Sequence, residues 1–89
     1  MRENPKVYIV ILNYNSHEDT IECVKQCRNI TYNNYRIIVV DNNSTDDSYK
    51  IIENNLKDVI LLKSDINKGY GYGNNIGIKA ALAEGAEYI

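Results

Sequence analysis

At 89 residues, with twelve acidic and ten basic side chains and a net charge of −2, the chain has room for one domain at most and for a small core. The balance is slightly acidic and no basic patch interleaves with aromatics, which argues against a nucleic-acid partner. No apolar run is long enough to span a bilayer.

Met1-Arg2-Glu3-Asn4-Pro5 leads directly into Val7-Tyr8-Ile9-Val10-Ile11-Leu12, without the hydrophobic region of a signal peptide, so a cytoplasmic protein is expected. The unbroken apolar run predicts a strand buried on both faces. It ends at the polar loop Asn13-Tyr14-Asn15-Ser16, where Ser16 with Asp19 three residues on suggests a capped helix over residues 17–28. Ile21, Val24, Cys27 and Cys23 would form its inward stripe, leaving Glu18, Glu22, Lys25 and Arg28 in solvent. Cys23 and Cys27 with His17 fall short of a zinc ligand set and read as small packing residues in a reducing compartment.

A turn-rich stretch, residues 31–35, leads to the second strand, Arg36-Ile37-Ile38-Val39-Val40, which becomes polar in one step at Asp41. Ser44 and Asp47 repeat the capping spacing and predict a helix over residues 45–55, burying Tyr49, Ile52 and Leu56 and closing at Asn54-Asn55. Val59-Ile60-Leu61-Leu62 is a third strand. A glycine-rich loop then enters a last helix over residues 73–83, with Gly77 allowing close packing and Gly85 ending it. Glu87-Tyr88-Ile89 reads as the start of a fourth strand. The alternation β-α-β-α-β-α-β predicts an α/β, Rossmann-like parallel sheet with right-handed crossovers and strand order 3-2-1-4.

In such a sheet the loops at residues 13–16, 41–44 and 64–72 fall at the carboxyl ends of their strands and converge on one edge, where open α/β sheets bind ligands. Asparagine recurs there, and an amide offers both donor and acceptor to a nucleobase edge or a ribose, although asparagine also favours turns. Asp41 has two readings at this stage: an acceptor for a base N–H or ribose hydroxyl, or a side chain capping its own loop. Gly69-Tyr70-Gly71-Tyr72-Gly73-Asn74-Asn75-Ile76-Gly77 follows the third strand rather than the first, which speaks against a dinucleotide fingerprint. Its glycines, with Lys68 close by, would instead let backbone amides approach a phosphate or sugar. Asp46 and Asp47 fit the first turn of a helix better than a metal pair.

Val10-Ile11-Leu12-Asn13-Tyr14-Asn15, then Ile38-Val39-Val40-Asp41-Asn42-Asn43-Ser44-Thr45-Asp46, then Asn67-Lys68-Gly69 through Gly77 together resemble the start of family 2 glycosyltransferases, in particular the rhamnosyltransferase-like branch. The resemblance covers essentially the whole chain. It implies the N-terminal half of a GT-A fold, spanning residues 1–89 and binding a nucleotide-diphosphate sugar. By the same resemblance Asn13, Tyr14 and Asn15 would pack on the base and Asp41, with Asn42 beside it, would accept from it. Lys68, Gly69, Asn74 and Asn75 would lie near ribose and phosphates.

The resemblance further implies that a divalent metal, Mg or Mn, and a catalytic base act in the full-length enzyme from a segment following residue 89, so that this chain would bind no metal and be inactive alone. The acceptor would be a glycan or a lipid-linked sugar, met at the inner face of the membrane, in polysaccharide or cell-surface glycan synthesis. A non-catalytic Rossmann-like nucleotide-binding or assembly module is the alternative. A nucleotidyltransferase would carry a basic, glycine-rich loop after its first strand, and Asn13-Tyr14-Asn15-Ser16 is neither. A chain cut at Ile89 would leave the edge of the first strand open, from which a homodimer is expected.

Overall fold

The computed structural model describes residues 5–65 and 70–89. The elements are β1 (Val7–Asn13), α1 (His17–Cys27), β2 (Tyr35–Asp41), α2 (Ser48–Asn55), β3 (Ile60–Lys63) and α3 (Tyr70–Ala83). The three strands form one parallel sheet in the order β1-β2-β3. Register is fixed along its length, with Asn13 opposite Asp41 and Asp41 opposite Lys63.

The expected fourth strand is reduced to a parallel bridge between Val7 and Tyr88, on the free side of β1. Tyr8 N–H donates to the Tyr88 carbonyl at 2.8 Å, and the Glu87 and Tyr88 N–H groups both reach the Lys6 carbonyl. Tyr88 therefore stands where the order 3-2-1-4 requires it.

Period-2 alternation divides the aliphatic residues between two cores. Ile37 and Val39 face α1 and α2, meeting Val24, Ile52 and Leu56, with Ile9, Ile11 and Leu61 packed alongside. Ile38 and Val40 face the other way and join Tyr8 and Ala81, with Val10, Leu12 and Ile76 around them. Residues Ile37, Ile38, Val39 and Val40 are each at most 4% exposed, because helices cover both faces of β2. Burial of each such side chain contributes roughly 1.5–3 kcal/mol. The first strand, expected to be as deeply buried, is mostly half-buried: of its aliphatics none is fully covered. β2 is thus the most deeply buried strand, having a paired strand along each side.

With α1 and α2 on one face and α3 on the other, the chain reverses its winding direction at β1. Ligand crevices of open α/β sheets lie outside the strand carboxyl ends at such a reversal.

Several boundaries differ from expectation. Helix α2 begins at Ser48, three residues late, because residues 44–46 are held by bonds from the loop after β1 and Asp47 takes the N-cap position. Neither Ser16 nor Asp47 makes a side-chain capping bond; the Ser16 hydroxyl donates instead to the Tyr14 carbonyl. Asn55 closes α2 by donating its side-chain amide to the Ile51 carbonyl at 2.7 Å, without the left-handed backbone anticipated for it.

In α1 the inward position expected for Cys23 goes to Thr20, which is buried, while Cys23 is exposed and Cys27 packs on the core. Burial, with Cys23 adjacent, raises the Cys27 thiol pKa. Tyr49 is half-buried beneath the Lys63 ammonium, 5.5 Å from the ring centre.

Helix α3 starts at Tyr70, one turn before the expected Gly73, and ends as anticipated at Gly85, which has φ +86°. Ala86 N–H bonds to Ala81 O and Gly85 N–H to Leu82 O, the paired bonds of a Schellman termination. The buried Tyr8 ring sends its hydroxyl to Glu84 Oε1 at 2.9 Å, anchoring this end of the helix.

Gly77 lets α3 lie directly on the sheet: a Cβ there would sit 2.4 Å from Val10 Cγ1 and 3.3 Å from Val40 Cγ2. Gly71 has nothing within 4 Å of the same position. The two glycines should therefore respond oppositely to alanine. Gly71→Ala gains helix propensity and should stabilise by about 0.5–1 kcal/mol. Gly77→Ala gains as much but must push apart two strand-anchored valines, for a net loss of about 1–3 kcal/mol. Urea denaturation of both variants checks the contrast, and adding Val10→Ala to Gly77→Ala should recover part of the loss.

Candidate functional site

The carboxyl ends of β1 and β2 are joined by their polar terminal residues rather than by apolar ones. Asn13 and Asp41, paired in register, are 1% and 0% exposed. Asn13 Nδ2 donates to Asp41 Oδ1 at 2.8 Å and to Ser44 Oγ at 3.2 Å, which uses both of its hydrogens. Asn13 Oδ1 accepts from Thr20 Oγ1 at 2.6 Å, tying the strand end to the first turns of α1. Ser44 Oγ donates to Asp41 Oδ1 at 2.6 Å and accepts from Asn13 Nδ2 and the Asn15 N–H, so the hydroxyl is fully engaged. Ser44 N–H closes the turn on Asp41 Oδ2 at 3.0 Å. Backbone bonds complete the assembly: Asn42 N–H to Asn13 O and Ser64 N–H to Asp41 O, both 2.8 Å.

Of the two readings of Asp41, loop capping is therefore observed. The carboxylate accepts from Asn13 Nδ2, Ser44 Oγ and Ser44 N–H. A carboxylate has about four lone-pair sites, so roughly one acceptor position remains, on Oδ2. The three neutral donors offset part of the cost of burying the group.

Asn15 bridges the two loops from the solvent side. Its Oδ1 accepts from Thr45 N–H at 2.8 Å and Asp46 N–H at 3.2 Å, and its Nδ2 donates to Thr45 Oγ1 at 2.9 Å. Asn15 and Asn43 are the two non-glycine residues with positive φ among the described residues, at +50° and +59°. Between Asn13 and Asn15, Tyr14 stands 41% exposed.

The expected site residues thus sort into groups. Asn13, Asp41 and Asn42 are buried and hold the edge together, Asn15 clamps it, and Tyr14 projects from it. Asn74 and Asn75 are exposed in the early part of α3, and the neighbouring Gly73 approaches the β2 loop, its would-be Cβ 3.6 Å from the Asn42 amide. Lys68 and Gly69 lie outside the described residues. Thr20 and Ser64 were not anticipated. Thr20 had a legible signal, as a hydroxyl in the inward stripe of α1 with Val24 and Cys27; Ser64 joins through its backbone N–H, for which no side-chain signal exists.

At the start of α2, Asp46 Oδ1 accepts the Ser48 N–H at 2.9 Å. The Ser48 hydroxyl and N–H lower the Asp46 pKa, with a smaller electrostatic contribution from His17, whose Nδ1 is 3.4 Å from Ser48 Oγ. Among the described residues no three His, Cys, Asp or Glu side chains gather as metal ligands. Nor is any described helix long and apolar enough to cross a membrane.

The sequence profile of the family described as glycosyl transferase family 2 matches residues 8–89. The chain belongs to that family. This family 2 member is 36% identical over 77 residues to the UDP-Glc:alpha-D-GlcNAc-diphosphoundecaprenol beta-1,3-glucosyltransferase WfaP of Escherichia coli, covering 84% of the chain and 30% of that protein. It is 30% identical over 71 residues to the GalNAc(5)-diNAcBac-PP-undecaprenol beta-1,3-glucosyltransferase of Campylobacter jejuni, covering 80% of the chain and 23% of the relative. A teichoic acid poly(glycerol phosphate) polymerase of Staphylococcus epidermidis is 26% identical over 78 residues, 83% of the chain and 11% of the polymerase. The chain therefore spans less than a third of the length of these relatives.

Two expectations follow from the network. Thr20→Val keeps the side-chain shape but leaves Asn13 Oδ1 without its donor, at a cost of about 1–3 kcal/mol. Asn13→Ala strips partners from Thr20, Asp41 and Ser44 together and should cost more, and the double variant should be less destabilised than the sum. Chemical denaturation of the four species measures this. For Asp46, the depressed folded-state pKa means that its stabilising contribution is complete above the ordinary aspartate value and disappears as pH falls through the depressed value. The Ser48 amide resonance should report a titration midpoint below the ordinary aspartate range, and a midpoint at the ordinary value would contradict the assigned bond.

Proposed function

We propose that the carboxyl edge of this sheet is the donor-nucleotide site of a glycosyltransferase that moves a sugar from a nucleotide-diphosphate donor to a hydroxyl of a lipid-linked glycan. The observation carrying this reading is the pair of polar loops after β1 and β2, locked together beside the winding reversal, with Tyr14 exposed between two anchored asparagines. The names of two relatives add the chemistry: one uses UDP-Glc, and both act on undecaprenol-linked diphosphates.

In this reading Tyr14 stacks on the base, beside the loop that the buried Asp41 shapes. The exposed amides of Asn74 and Asn75, with Lys68 and Gly69, attend ribose and diphosphate. In the transfer itself, the acceptor oxygen attacks the anomeric carbon as the bond to the diphosphate breaks, and a base takes the hydroxyl proton. A divalent ion, Mg or Mn, in the whole enzyme would offset the charge of the departing diphosphate. For this chain the proposal is confined to binding, without transfer. The whole enzyme would work at the cytoplasmic side of a membrane, where lipid-linked acceptors are met.

Titrating the isotopically labelled chain with UDP-glucose tests the reading. Amide shifts should concentrate at residues 13–15, 41–46 and the start of α3. Tyr14→Ala should lose about 1–3 kcal/mol of affinity, the usual worth of a base–aromatic stack, with an unchanged unfolding midpoint. Shifts confined to other parts of the sheet would remove the assignment.

A further inference from the structure

The Asn15 side chain is bonded within the protein at both its oxygen and its nitrogen. Both ends of its side chain are turned toward the neighbouring loop, on Thr45 N–H, Asp46 N–H and Thr45 Oγ1. Its own N–H is held by Ser44 Oγ at 3.0 Å, so all four bonds tie residue 15 to residues 44–46. The residue is exposed, and its backbone lies in the left-handed region at φ +50°. Left-handed backbone is unfavourable for a side chain other than glycine, asparagine or aspartate, and persists where surrounding bonds enforce it. A glycine would supply the backbone at lower strain but not the three side-chain bonds.

The loop it holds has few other attachments. Residues 45–47 are exposed and precede α2, which they join only through the Asp47 carbonyl, an acceptor for Ile51 N–H at 3.0 Å. Asp41 and Asn13 secure the loop only as far as Ser44. From there to the N-cap of α2, residues 45 and 46 are held by Asn15 and by the Asp46–Ser48 turn. The preceding residue, Tyr14, is 41% exposed.

We infer that Asn15 is a positioning residue, a clamp that fixes residues 44–46 to the loop after β1 and so presents the site wall in one preformed arrangement. The inference rests on the donor-site reading for its consequence on affinity, but the clamp is measurable without it. A site whose wall is formed only part of the time binds with its affinity reduced by that fraction. Asn15 would then influence nucleotide binding without touching the nucleotide.

Amide hydrogen exchange and uridine diphosphate titration on three chains separate these statements. In Asn15→Gly, which keeps the left-handed backbone, exchange at Thr45 and Asp46 should accelerate roughly tenfold, the equivalent of one lost hydrogen bond. Uridine diphosphate affinity should fall roughly three- to tenfold, through the smaller competent fraction. The thermal midpoint should fall by only about 4–8 °C, what one lost hydrogen bond is worth in a domain of this size. Asn15→Asp keeps the two acceptors, and the Thr45 hydroxyl can turn to donate; it should restore protection and most of the affinity.

Unchanged exchange at Thr45 and Asp46 in Asn15→Gly overturns the clamp. Lost protection with unchanged affinity overturns the positioning role, and a large fall in the thermal midpoint makes the residue merely structural. A wild-type chain with no affinity for uridine diphosphate would refute the donor-site reading, while exchange would still decide the clamp.

Discussion

A carboxylate with no exposed surface, Asp41, sits at the end of the most buried strand, and the upper edge of the molecule is arranged to satisfy it. No cation pairs with it among the described residues; its partners are an amide, a hydroxyl and a backbone N–H. Each donor comes with its own fixed position. Asn13 is delivered by the register of β1 against β2, and Ser44 by the turn that Asp41 itself closes. Leaving one buried donor or acceptor unmade costs more than making it gains, so the bonds are mutually enforcing. The same network reaches through Asn13 to Thr20 and thereby sets where α1 begins relative to the sheet.

This polar edge depends on the two apolar faces below it. The strand must be covered on both sides for Asp41 to arrive at a position withdrawn from water, and that coverage comes from helices wound in opposite directions. On one side α1 and α2 pack against Val39 and Ile37. On the other, α3 lies close enough that Gly77 leaves no space for a methyl group against Val10. The same approach brings Gly73, one turn earlier, against Leu12 and the Asn42 amide, where the helix meets the loop. Packing in the lower part of α3 thus determines how near its first turns come to the carboxyl edge.

Much of this was legible in the sequence. Unbroken aliphatic runs indicated the strands, and Gly85 and Gly77 marked a helix end and a close approach, because each has a local physical cause. The start of α2 was not legible. Ser44 and Asp47 have the spacing of a capping box, but Ser44 is claimed by Asp41, Asn13 and Asn15. A local propensity lost to contacts from residues about 30 positions away, which spacing within one loop does not reveal. The covering of β1 was overestimated for a related reason: an apolar run states what a strand tolerates, whereas its burial depends on its neighbours. In the site, asparagine content signalled that the loops mattered but could not distinguish a ligand from a fastener.

That distinction follows from geometry and bears on how such an edge can diversify. Asn13 and Asp41 face inward and serve the fold; Asn15 faces sideways and serves the loop; Tyr14 faces outward. Three adjacent residues therefore carry three separate constraints. Substitution at Tyr14 changes what the edge presents while leaving the bonds beneath it intact, since none of the network hydrogen bonds uses its side chain. Substitution at Asn13 disturbs Thr20, Asp41 and Ser44 at once and changes the presentation only by loosening everything. A scaffold that separates these duties can alter what its edge exposes without sacrificing the buried carboxylate that shapes the loop.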